Sequence, residues 1–332
     1  MTLHMDLGAR GYDIAVERGC LAKAGEKLKL DRRTLIVTDD GVPAQYAAAV
    51  AAQCASPLVV TLPQGEESKS LAALEGLLTA MLNAGFTRAD CVCAVGGGVC
   101  GDLAGFAAAI YMRGVDFYNV PTTLLSQVDS SIGGKTAVDL GGVKNIVGAF
   151  WQPRKVLIDP DTLETLPARE TACGMAEAVK TALIGDAALF ARMEAGKPTL
   201  EDMIAASLAV KKRVVEADER ESGARKTLNL GHTIGHAIES VTDLKHGECV
   251  ALGMLPMCAP DVRARLLPVL ARLGLPTSVQ ADPAAVYAAL LHDKKTTDAG
   301  ITAVFAEAPG RCALRDVAPE TLKAGIEMVV HP

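Results

Sequence analysis

Three of the six histidines in this 332-residue chain fall within fifteen positions, and their spacing suggests metal chemistry. His232 and His236 stand four residues apart in LNLGHTIGHAIES, so a helix would place both on one face. His246 follows in KHGE. Two histidines at that spacing can share a metal ion, as in the motif H-E-x-x-H. Here Thr233 follows His232, so no glutamate base stands between the two rings.

Glu177, in GMAEAVK, is an oxygen donor that could complete such a site. Three protein ligands with one open position describe a catalytic divalent ion, most often zinc. Histidine packed as a polar residue of a helical core is the competing interpretation, and the residues alone leave both open.

Basic residues surround the histidines along the chain and would suit an anionic ligand. Lys211, Asp218, Glu221 and Arg225 also recur at helical intervals, so salt bridges along one exposed helix are a competing explanation. The basic residues in question are Lys180, Lys211, Lys212, Arg225, Lys294 and Lys295.

A glycine turn in CVCAVGGGVCGDLAGFAAAIY is the second candidate for chemistry. Gly96, Gly98 and Gly101 fit G-x-G-x-x-G between an apolar strand and a helix. In that setting glycine lets the backbone approach a pyrophosphate, and the helix N-terminus offers free N–H groups. The turn follows about the fourth predicted strand rather than the first, and a tight structural turn is the competing interpretation.

A polar run, PTTLLSQVDSSIGGKTAVDLGGVKNIVG, follows the next predicted strand. Ligands of open α/β sheets bind at that end of the strands, and hydroxyls with lysines suit a phosphate or a polyol. A solvated loop is the competing interpretation, and DSSIGGKT lacks the spacing of a Walker loop. The run includes Thr122, Thr123, Gln127, Asp129, Ser130, Ser131, Lys135, Lys144 and Asn145.

The elements that would carry these residues alternate in the first half of the chain. Val- and Ile-rich runs at 12–17, 34–40, 57–63, 91–95 and 116–122 are separated by alanine-rich helical stretches, which predicts a parallel sheet covered by helices. From about Leu166, helical patterns follow at 170–185, 199–223, 232–241 and 247–258, before a β-like pair at 301–317. The fold class predicted is α/β. A Rossmann-like nucleotide-binding domain over 1–160 precedes a mainly α-helical metal-binding domain over 161–332.

Composition excludes several classes of protein. The net charge of −6 argues against nucleic-acid binding, which calls for a basic face. Apolar runs are too short to span a membrane, and the first residues lack the pattern of a signal peptide. Nine scattered cysteines without a CxxC pair indicate reduced thiols and a cytoplasmic protein.

Together these segments closely resemble the 3-dehydroquinate synthase family, in the family's order and over nearly the whole chain. The resemblance implies a nucleotide-binding domain, a helical metal-binding domain and a homodimer. The stretches that carry it are PQGEESKS, GGGVCGDLAGFAAAIYMRG, VPTTLLSQVDSSIGGKTAVD, KNIVGAFWQPRKVLIDPDTLETLP, GMAEAVKTALIGD, DERESGARKTLNLGHTIGHAIE, HGECVALGM and HDKK.

The reaction that the resemblance implies converts 3-deoxy-arabino-heptulosonate 7-phosphate into 3-dehydroquinate and phosphate. NAD would oxidise the C5 hydroxyl transiently and be regenerated, and phosphate would leave by elimination before an intramolecular aldol closure. A divalent metal, zinc or cobalt, would be the second cofactor. The substrate's own phosphate could remove the C6 proton, which would explain why no carboxylate base stands out.

The resemblance also implies roles for individual residues. Glu177, His232 and His246 resemble the metal ligands, and His236 resembles a non-ligand that handles phosphate or a proton. Arg113 resembles an arginine that reaches the partner subunit's active site. The substrate-binding and active-site set is Lys135, Lys180, Lys211, Arg225, Asn229, Asp129, Asn145 and one lysine of HDKK, taken as Lys294. The NAD contacts are Asp39, Glu66, Lys69, Gly98, Val99, Cys100, Gly101, Asp102, Thr122, Thr123, Lys144, Thr162 and Thr165.

Two regions depart from the family pattern, and three other functions compete. The segment between His236 and His246 is slightly short. The stretch LPMCAPDVRARLLPVLARLGLP is short and includes Pro256 and Pro260, which end or kink helices. Another sugar phosphate cyclase, making an inosose or a valiolone, should alter the residues that meet the substrate carboxylate. A metal-dependent polyol dehydrogenase has no need of the phosphate-binding lysines. A catalytically inactive binding protein should lack one of Glu177, His232 and His246, and the chain has all three.

Overall fold

The computed structural model describes residues 1–292, 296–297 and 300–332. The chain divides into two compact units, Met1–Leu166 and Pro167–Pro332. The division falls a few residues after the predicted boundary at 160, because a 3₁₀ helix, Pro160–Thr165, closes the first unit. Its Thr165 hydroxyl meets the hydroxyl of Tyr46 at 2.9 Å.

The first unit is built from nine strands and four helices, three of them longer than one turn. The strands are β1 (Thr2–Met5), β2 (Tyr12–Val16), β3 (Arg33–Asp39), β4 (Ser56–Leu62), β5 (Cys91–Gly96), β6 (Asp116–Pro121), β7 (Lys135–Leu140), β8 (Val143–Phe150) and β9 (Lys155–Ile158). The helices are α1 (Ala24–Lys27), α2 (Ala44–Ala51), α3 (Leu71–Asn83) and α4 (Gly98–Ile110).

Seven of these strands form one sheet in the order β1-β2-β9-β6-β5-β3-β4. Only β1 runs antiparallel to its neighbour, and the other five pairs are parallel. The chain passes from β3 outward to β4 and then returns to the opposite side of β3 as β5. The carboxyl ends of β3 and β5 therefore flank a topological switch point, where ligands of open α/β sheets bind.

Both faces of this sheet are covered, as the continuous apolar runs predict. Leu35 and Val37 pack into the core on one face, and Ile36 between them packs into the core on the other. All six residues of β5 are buried. Side chains alternate across a strand, so a parallel strand buried on both faces reads as an unbroken apolar run.

The five strands predicted from sequence are present within a residue or two, and the predicted α/β fold class is confirmed. Four strands were not predicted: β1, β9 and the two strands of the β7–β8 hairpin. That hairpin lies within the polar run and turns through Gly141 and Gly142, which both have positive φ. The glycine turn therefore follows the fifth strand of the chain.

The second unit is mainly helical. Its helices are α5 (Ala168–Gly185), α6 (Ala187–Glu194), α7 (Leu200–Ala217), α8 (His232–Glu239), α9 (His246–Met254), α10 (Pro260–Arg272), α11 (Pro283–His292) and α12 (Pro319–Val329). Its strands are β10 (Val279–Gln280), β11 (Thr296–Thr297), β12 (Gly300–Ala308), β13 (Arg311–Val317) and β14 (Val330–His331), and β12–β13 is the predicted β-like pair. None of the helices in the described ranges is both long enough and apolar enough to span a bilayer.

One helix of this unit ends earlier than its pattern predicts. The helical spacing continues to 223, but α7 stops at Ala217, where Asp218 leaves the helical conformation. The interpretation of Lys211, Asp218, Glu221 and Arg225 as salt bridges along one helix is therefore wrong. Pro256 and Pro260 behave as predicted, since α9 ends at Met254 and Pro260 begins α10.

Candidate functional site

The glycine turn of the first unit is closely packed. A Cβ atom on Gly98 would lie 3.2 Å from the Ser130 hydroxyl, and one on Gly101 would lie 3.2 Å from the Asn119 amide nitrogen. No described side chain caps α4, which starts at Gly98. The first N–H groups of a helix lack partners within the helix and attract phosphate. The predicted contacts Gly98, Val99, Cys100 and Gly101 form this first turn.

Lys69 brings four of the predicted residues together. Its ammonium group lies 2.8 Å from an Asp102 oxygen and 3.3 Å from a Glu66 oxygen, and it contacts the Asn145 side chain. Lys69 is buried, and burial lowers its pKa, but the two carboxylates outweigh that effect and raise the pKa above its ordinary value. The hairpin holds Asn145 at φ 53° through the Asp139 carboxylate, which accepts the Asn145 N–H at 2.7 Å.

Asp39, the last residue of β3, borders an open cavity of about 540 Å³. One of its carboxylate oxygens accepts the N–H of Gly41 at 2.9 Å. Thr38 also lines this cavity, but its hydroxyl is buried and has no hydrogen-bond partner among the described residues. The cavity falls within the size range of small-molecule sites.

The remaining predicted residues of this unit are spread over several elements. Thr122 follows β6 and donates its N–H to the Gly96 carbonyl, whereas the Thr123 hydroxyl accepts the Ser126 N–H. Thr162 donates its hydroxyl to the Asp159 carbonyl, a bond that holds the closing 3₁₀ helix. Three of the predicted residues in the polar run are charged: Asp129 in a short π-helical turn (Ser126–Ser130), Lys135 at the start of β7 and Lys144 on β8.

Arg113 lies in a turn of unusual backbone conformation. Met112, Arg113 and Gly114 have successive φ values of 49°, 70° and 124°. Glycine is required at 114 in addition by packing, because a Cβ there would lie 2.4 Å from the Trp151 ring. Non-glycine residues at positive φ are uncommon and are found more often at functional sites. The Arg113 side chain is exposed.

In the second unit, Glu177 on α5 lies beside two of the three clustered histidines. Its Oε1 is 3.9 Å from His232 Nε2 and 3.5 Å from His246 Nε2. Glu177 is 1% exposed, and neither carboxylate oxygen has a hydrogen-bond partner among the described residues, although Lys180 forms an ion pair with it. Two donors bound to one tetrahedral zinc ion lie about 3.4 Å apart. The three donors therefore fit a shared divalent ion.

The outer nitrogens of these two rings are already engaged. His232 Nδ1 lies 3.2 Å from the Leu230 carbonyl, and His246 Nδ1 lies 3.0 Å from Glu239 Oε2. Both acceptors require an N–H at Nδ1, so Nε2, the nitrogen on the Glu177 side of each ring, is the one available to a metal ion. Burial lowers the pKa of His246, but Glu177 and Glu239 outweigh it and raise the pKa to about 9. Metal entry would release that proton.

His236 offers a second possible donor set. The rings of His232, His236 and His246 present nitrogens within 4.8 Å of one another, so three histidines could also hold an ion. The prediction that Glu177 rather than His236 completes the set comes from the family resemblance and stays a prediction. The two distances to the buried Glu177 carboxylate are compatible with it.

Glycine backbones bring the helices of this cluster unusually close together. A Cβ on Gly253 of α9 would lie 2.0 Å from the Gly231 carbonyl oxygen, just before α8, and one on Gly235 would lie 2.9 Å from the Cys249 carbonyl oxygen. A Cβ on Gly247 would lie 2.4 Å from Cys173 Cα of α5. Each histidine thus stands next to a glycine that contacts a neighbouring backbone.

Three Lys or Arg side chains are buried among the described residues of this unit. Lys180, Lys211 and Arg225 are at most 8% exposed, on α5, α7 and a 3₁₀ helix (Ala224–Asn229). These three elements pack together. Against these cations, Glu177 and Glu248 are the buried carboxylates among the described residues of the unit, and Glu248 is paired with Arg169. The formal charge buried around α5 and α7 is therefore positive.

The turn after α7 places Arg225 and Asn229. The Asp218 carboxylate accepts N–H groups from Ser222, Gly223 and Arg225 at 2.9, 2.7 and 3.0 Å. These bonds hold the pKa of Asp218 well below its ordinary value. The Asn229 amide donates to Glu221 at 2.8 Å. The predicted Lys294, with Lys295, lies outside the described residues.

Several residues that support the site were not predicted: Glu239, which orients His246, and the Asp218 and Glu221 side chains of the turn. The sequence holds a weak signal for Glu239, a carboxylate seven positions before a candidate ligand. It holds none for Asp218, because its spacing continues the helical pattern.

Known proteins match this chain over most of its length. Residues 59–173 match the family described as 3-dehydroquinate synthase N-terminal. Residues 174–296 match the family described as 3-dehydroquinate synthase C-terminal. The 3-dehydroquinate synthase of Caulobacter vibrioides (strain NA1000 / CB15N) is 42% identical over 359 residues, with 97% of each chain covered. Further curated relatives at 41% and 43% identity carry the same name.

Two solved structures of related enzymes share the fold. A 2-deoxy-scyllo-inosose synthase complexed with carbaglucose-6-phosphate, NAD⁺ and Co²⁺ is 27% identical with a TM-score of 0.90, covering 98% of this chain and 99% of that one. The 2-epi-5-epi-valiolone synthase of Streptomyces hygroscopicus subsp. jinggangensis 5008, with NAD⁺ and Zn²⁺ bound, is 29% identical with a TM-score of 0.84, covering 95% and 96%.

The fold, the glycine turn and the histidine cluster place the chain among the two-domain sugar phosphate cyclases. Within that class, the family descriptions and the curated relatives show that the chain belongs to the 3-dehydroquinate synthase family. The family predicted from the sequence is therefore confirmed.

Proposed function

We propose that this chain is a 3-dehydroquinate synthase, converting 3-deoxy-arabino-heptulosonate 7-phosphate into 3-dehydroquinate and inorganic phosphate. The observation that carries the proposal is the arrangement of Glu177, His232 and His246 in a chain of this family. A buried carboxylate 3.5 and 3.9 Å from two imidazole nitrogens is a donor set suited to a divalent ion.

Two cofactors belong to the proposal. NAD, when bound, supplies the reversible oxidation of the C5 hydroxyl, and a zinc or cobalt ion supplies positive charge beside that oxygen. Glu177, His232 and His246 would hold the ion. The first turn of α4, Asp39 and the Lys69 cluster would hold the dinucleotide, because uncapped N–H groups suit its pyrophosphate and a carboxylate suits a ribose.

The buried positive charge of the second unit supports a substrate that is an anion at two ends. The heptulosonate carries a carboxylate and a phosphate, which Lys180, Lys211 and Arg225 would neutralise. Arg225 suits a forked contact, since a guanidinium can donate two parallel hydrogen bonds to either group. The proposal also includes Lys135, Asp129, Asn145 and Asn229 as polar contacts that orient the substrate's hydroxyls.

His236 is proposed to act on the substrate rather than on the metal. Its ring centroid lies 5.1 Å from that of His232 and 5.7 Å from that of His246. At that distance from the donor set, an imidazole can hold a proton near the departing phosphate, a task suited to its ordinary pKa range.

A single assay tests the function. Purified protein with NAD and Zn²⁺ or Co²⁺ is expected to release phosphate from the heptulosonate phosphate and to form 3-dehydroquinate. Glu177→Gln should abolish turnover, whereas Glu194→Gln, which breaks a pair with Arg265 on the partly exposed surface, should not. Turnover of a hexose or heptulose phosphate in place of the heptulosonate would assign the chain to an inosose or valiolone cyclase.

The location and the assembly are further parts of the proposal. All nine cysteines are free thiols, seven of them buried, which supports a reducing compartment and hence the cytoplasm. A homodimer is proposed from the family and from the exposed Arg113 turn. A molar mass of one chain across the micromolar range, measured by light scattering, would contradict the dimer.

A further inference from the structure

The two carboxylate oxygens of Asp39 are held by different donors. The N–H of Gly41 reaches Oδ1 at 2.9 Å, and the thiol of Cys100 reaches Oδ2 at 3.1 Å. An ionised carboxylate can only accept, so the thiol is the donor. Burial and the neighbouring carboxylate raise the pKa of Cys100 well above its ordinary value, which keeps the thiol protonated. Cys100 is fully buried and Asp39 nearly so.

The absence of a side chain at Gly96 makes room for this bond. A Cβ on Gly96, the last residue of β5, would lie 2.5 Å from Cys100 Sγ. The thiol therefore lies against the end of β5 and reaches from the first turn of α4 to the end of β3. It joins the two sides of the switch point at which a ligand of this sheet binds.

The cavity beside Asp39 has an acceptor for each hydroxyl of a vicinal diol, because the Asp39 carboxylate borders it with two oxygens. Each carboxylate oxygen has two lone pairs, so one lone pair on each oxygen remains after the bonds from Gly41 and Cys100. A carboxylate held from two sides presents those lone pairs in a fixed plane.

We propose that Cys100 is a positioning residue for the dinucleotide: its thiol fixes the Asp39 carboxylate in the plane that accepts the adenosine ribose diol. The inference rests on the proposed use of NAD. It assigns the role to a side chain that touches the carboxylate and not the cofactor. Removing the thiol leaves Asp39 free to rotate, so the loss of affinity must depend on the ribose hydroxyls.

The experiment compares NAD with its 2′-deoxyadenosine analogue by calorimetry on the full-length protein. Cys100→Ala is expected to weaken NAD binding by about 3- to 10-fold. This is the effect expected when a carboxylate loses one hydrogen bond from a weak donor such as a thiol. The affinity for the analogue should fall by less than about 2-fold, because the analogue lacks the 2′-hydroxyl that would donate to the Asp39 carboxylate. Cys100→Ser, which keeps a donor, should restore most of the NAD affinity.

Cys54→Ala is the matched control, because it removes a half-buried thiol that donates to the Val50 carbonyl and does not line the cavity. It should bind NAD as the unmodified chain does.

Equal weakening of NAD and analogue by Cys100→Ala would show a packing effect and overturn the inference, as would unchanged affinity. If Cys100→Ala does not fold, Cys100→Val replaces it with the same expectations. A chain that turns over its substrate but binds NAD with no preference over the analogue overturns the inference alone. Failure of the unmodified chain to bind NAD overturns the proposed function as well.

Discussion

At the scale of single residues, the proposed metal site depends on which nitrogen each ring presents. The Leu230 carbonyl and the Glu239 carboxylate each engage an Nδ1 atom, so both Nε2 atoms are left facing Glu177. Spacing along the sequence cannot give this information. It depends on acceptors that tertiary structure brings to the outer side of each ring.

The first prediction separates the two possible donor sets. Glu177→Ala and His246→Ala should lose a bound divalent ion, because each removes one of three protein donors, whereas His236→Ala should keep it. Metal content after gel filtration, measured by atomic emission, is the readout. Loss in all three variants would instead assign the ion to the three histidines.

The second prediction concerns Glu239, which contacts His246 at 3.0 Å. Glu239→Ala should weaken zinc binding by about 10- to 100-fold, the usual cost of losing the carboxylate behind a metal-binding histidine. Competition with a chromophoric chelator measures this. Glu239→Gln should lie between, since its amide oxygen still accepts. The control is Glu194→Gln, and an unchanged affinity in Glu239→Ala would contradict the role.

At the scale of elements, sequence patterns predicted five strands and the glycine turn but missed the β7–β8 hairpin and the end of α7. Most of the five strands were predictable because strands buried on both faces need unbroken apolar runs. The edge strand β4 is mostly exposed and was predictable from its Val- and Leu-rich composition instead. The β7–β8 hairpin was not, because β8 is largely exposed and the polar side chains and glycines of the hairpin match the composition of a loop. The end of α7 could not be predicted because Asp218, Glu221 and Arg225 continue the helical spacing in the sequence, although the helix ends at Ala217.

The third prediction tests the turn after α7. Asp218→Ala should speed hydrogen exchange at the amides of 222–225 and lower the affinity for phosphate substrate, because Arg225 loses its anchored backbone. The folded pKa of Asp218 is lowered, so its stabilising contribution is complete above the unfolded value of about 3.9 and is lost as the pH falls through the folded pKa. Protection of the turn should therefore decline below about pH 4 in the unmodified chain, and this dependence should vanish in the variant.

Asp202→Ala is the matched control, since Asp202 caps the other end of α7 with a lowered pKa of its own. It should loosen the start of α7 and leave the amides of 222–225 protected. Equal exchange at both ends in both variants would mean that Asp218 acts through the helix as a whole.

At the scale of the whole molecule, the proposed homodimer leads to a fourth prediction. If Arg113 completes the active site of the partner subunit, Arg113→Ala and Glu177→Ala are each inactive alone but complement each other when mixed. Random pairing gives mixed dimers in about half of the molecules, each with one complete site, and thus about a quarter of the unmodified activity. Activity after mixing and refolding measures this, and none above that of the single variants would place Arg113 in its own subunit's site or outside catalysis.

The glycine contacts beneath the histidines also bear on how far this protein can change. Core side chains can usually be exchanged for others of similar volume, because neighbours readjust. At Gly231, Gly235, Gly247 and Gly253 the neighbour is another backbone, and a single added carbon would lie 2.0 to 2.9 Å from it. Even the smallest substitution at these positions, glycine to alanine, would push apart the helices that hold the donors. These glycines therefore keep the spacing between α5, α8 and α9 constant during evolution. The side chains around the proposed metal ligands can change without altering that spacing.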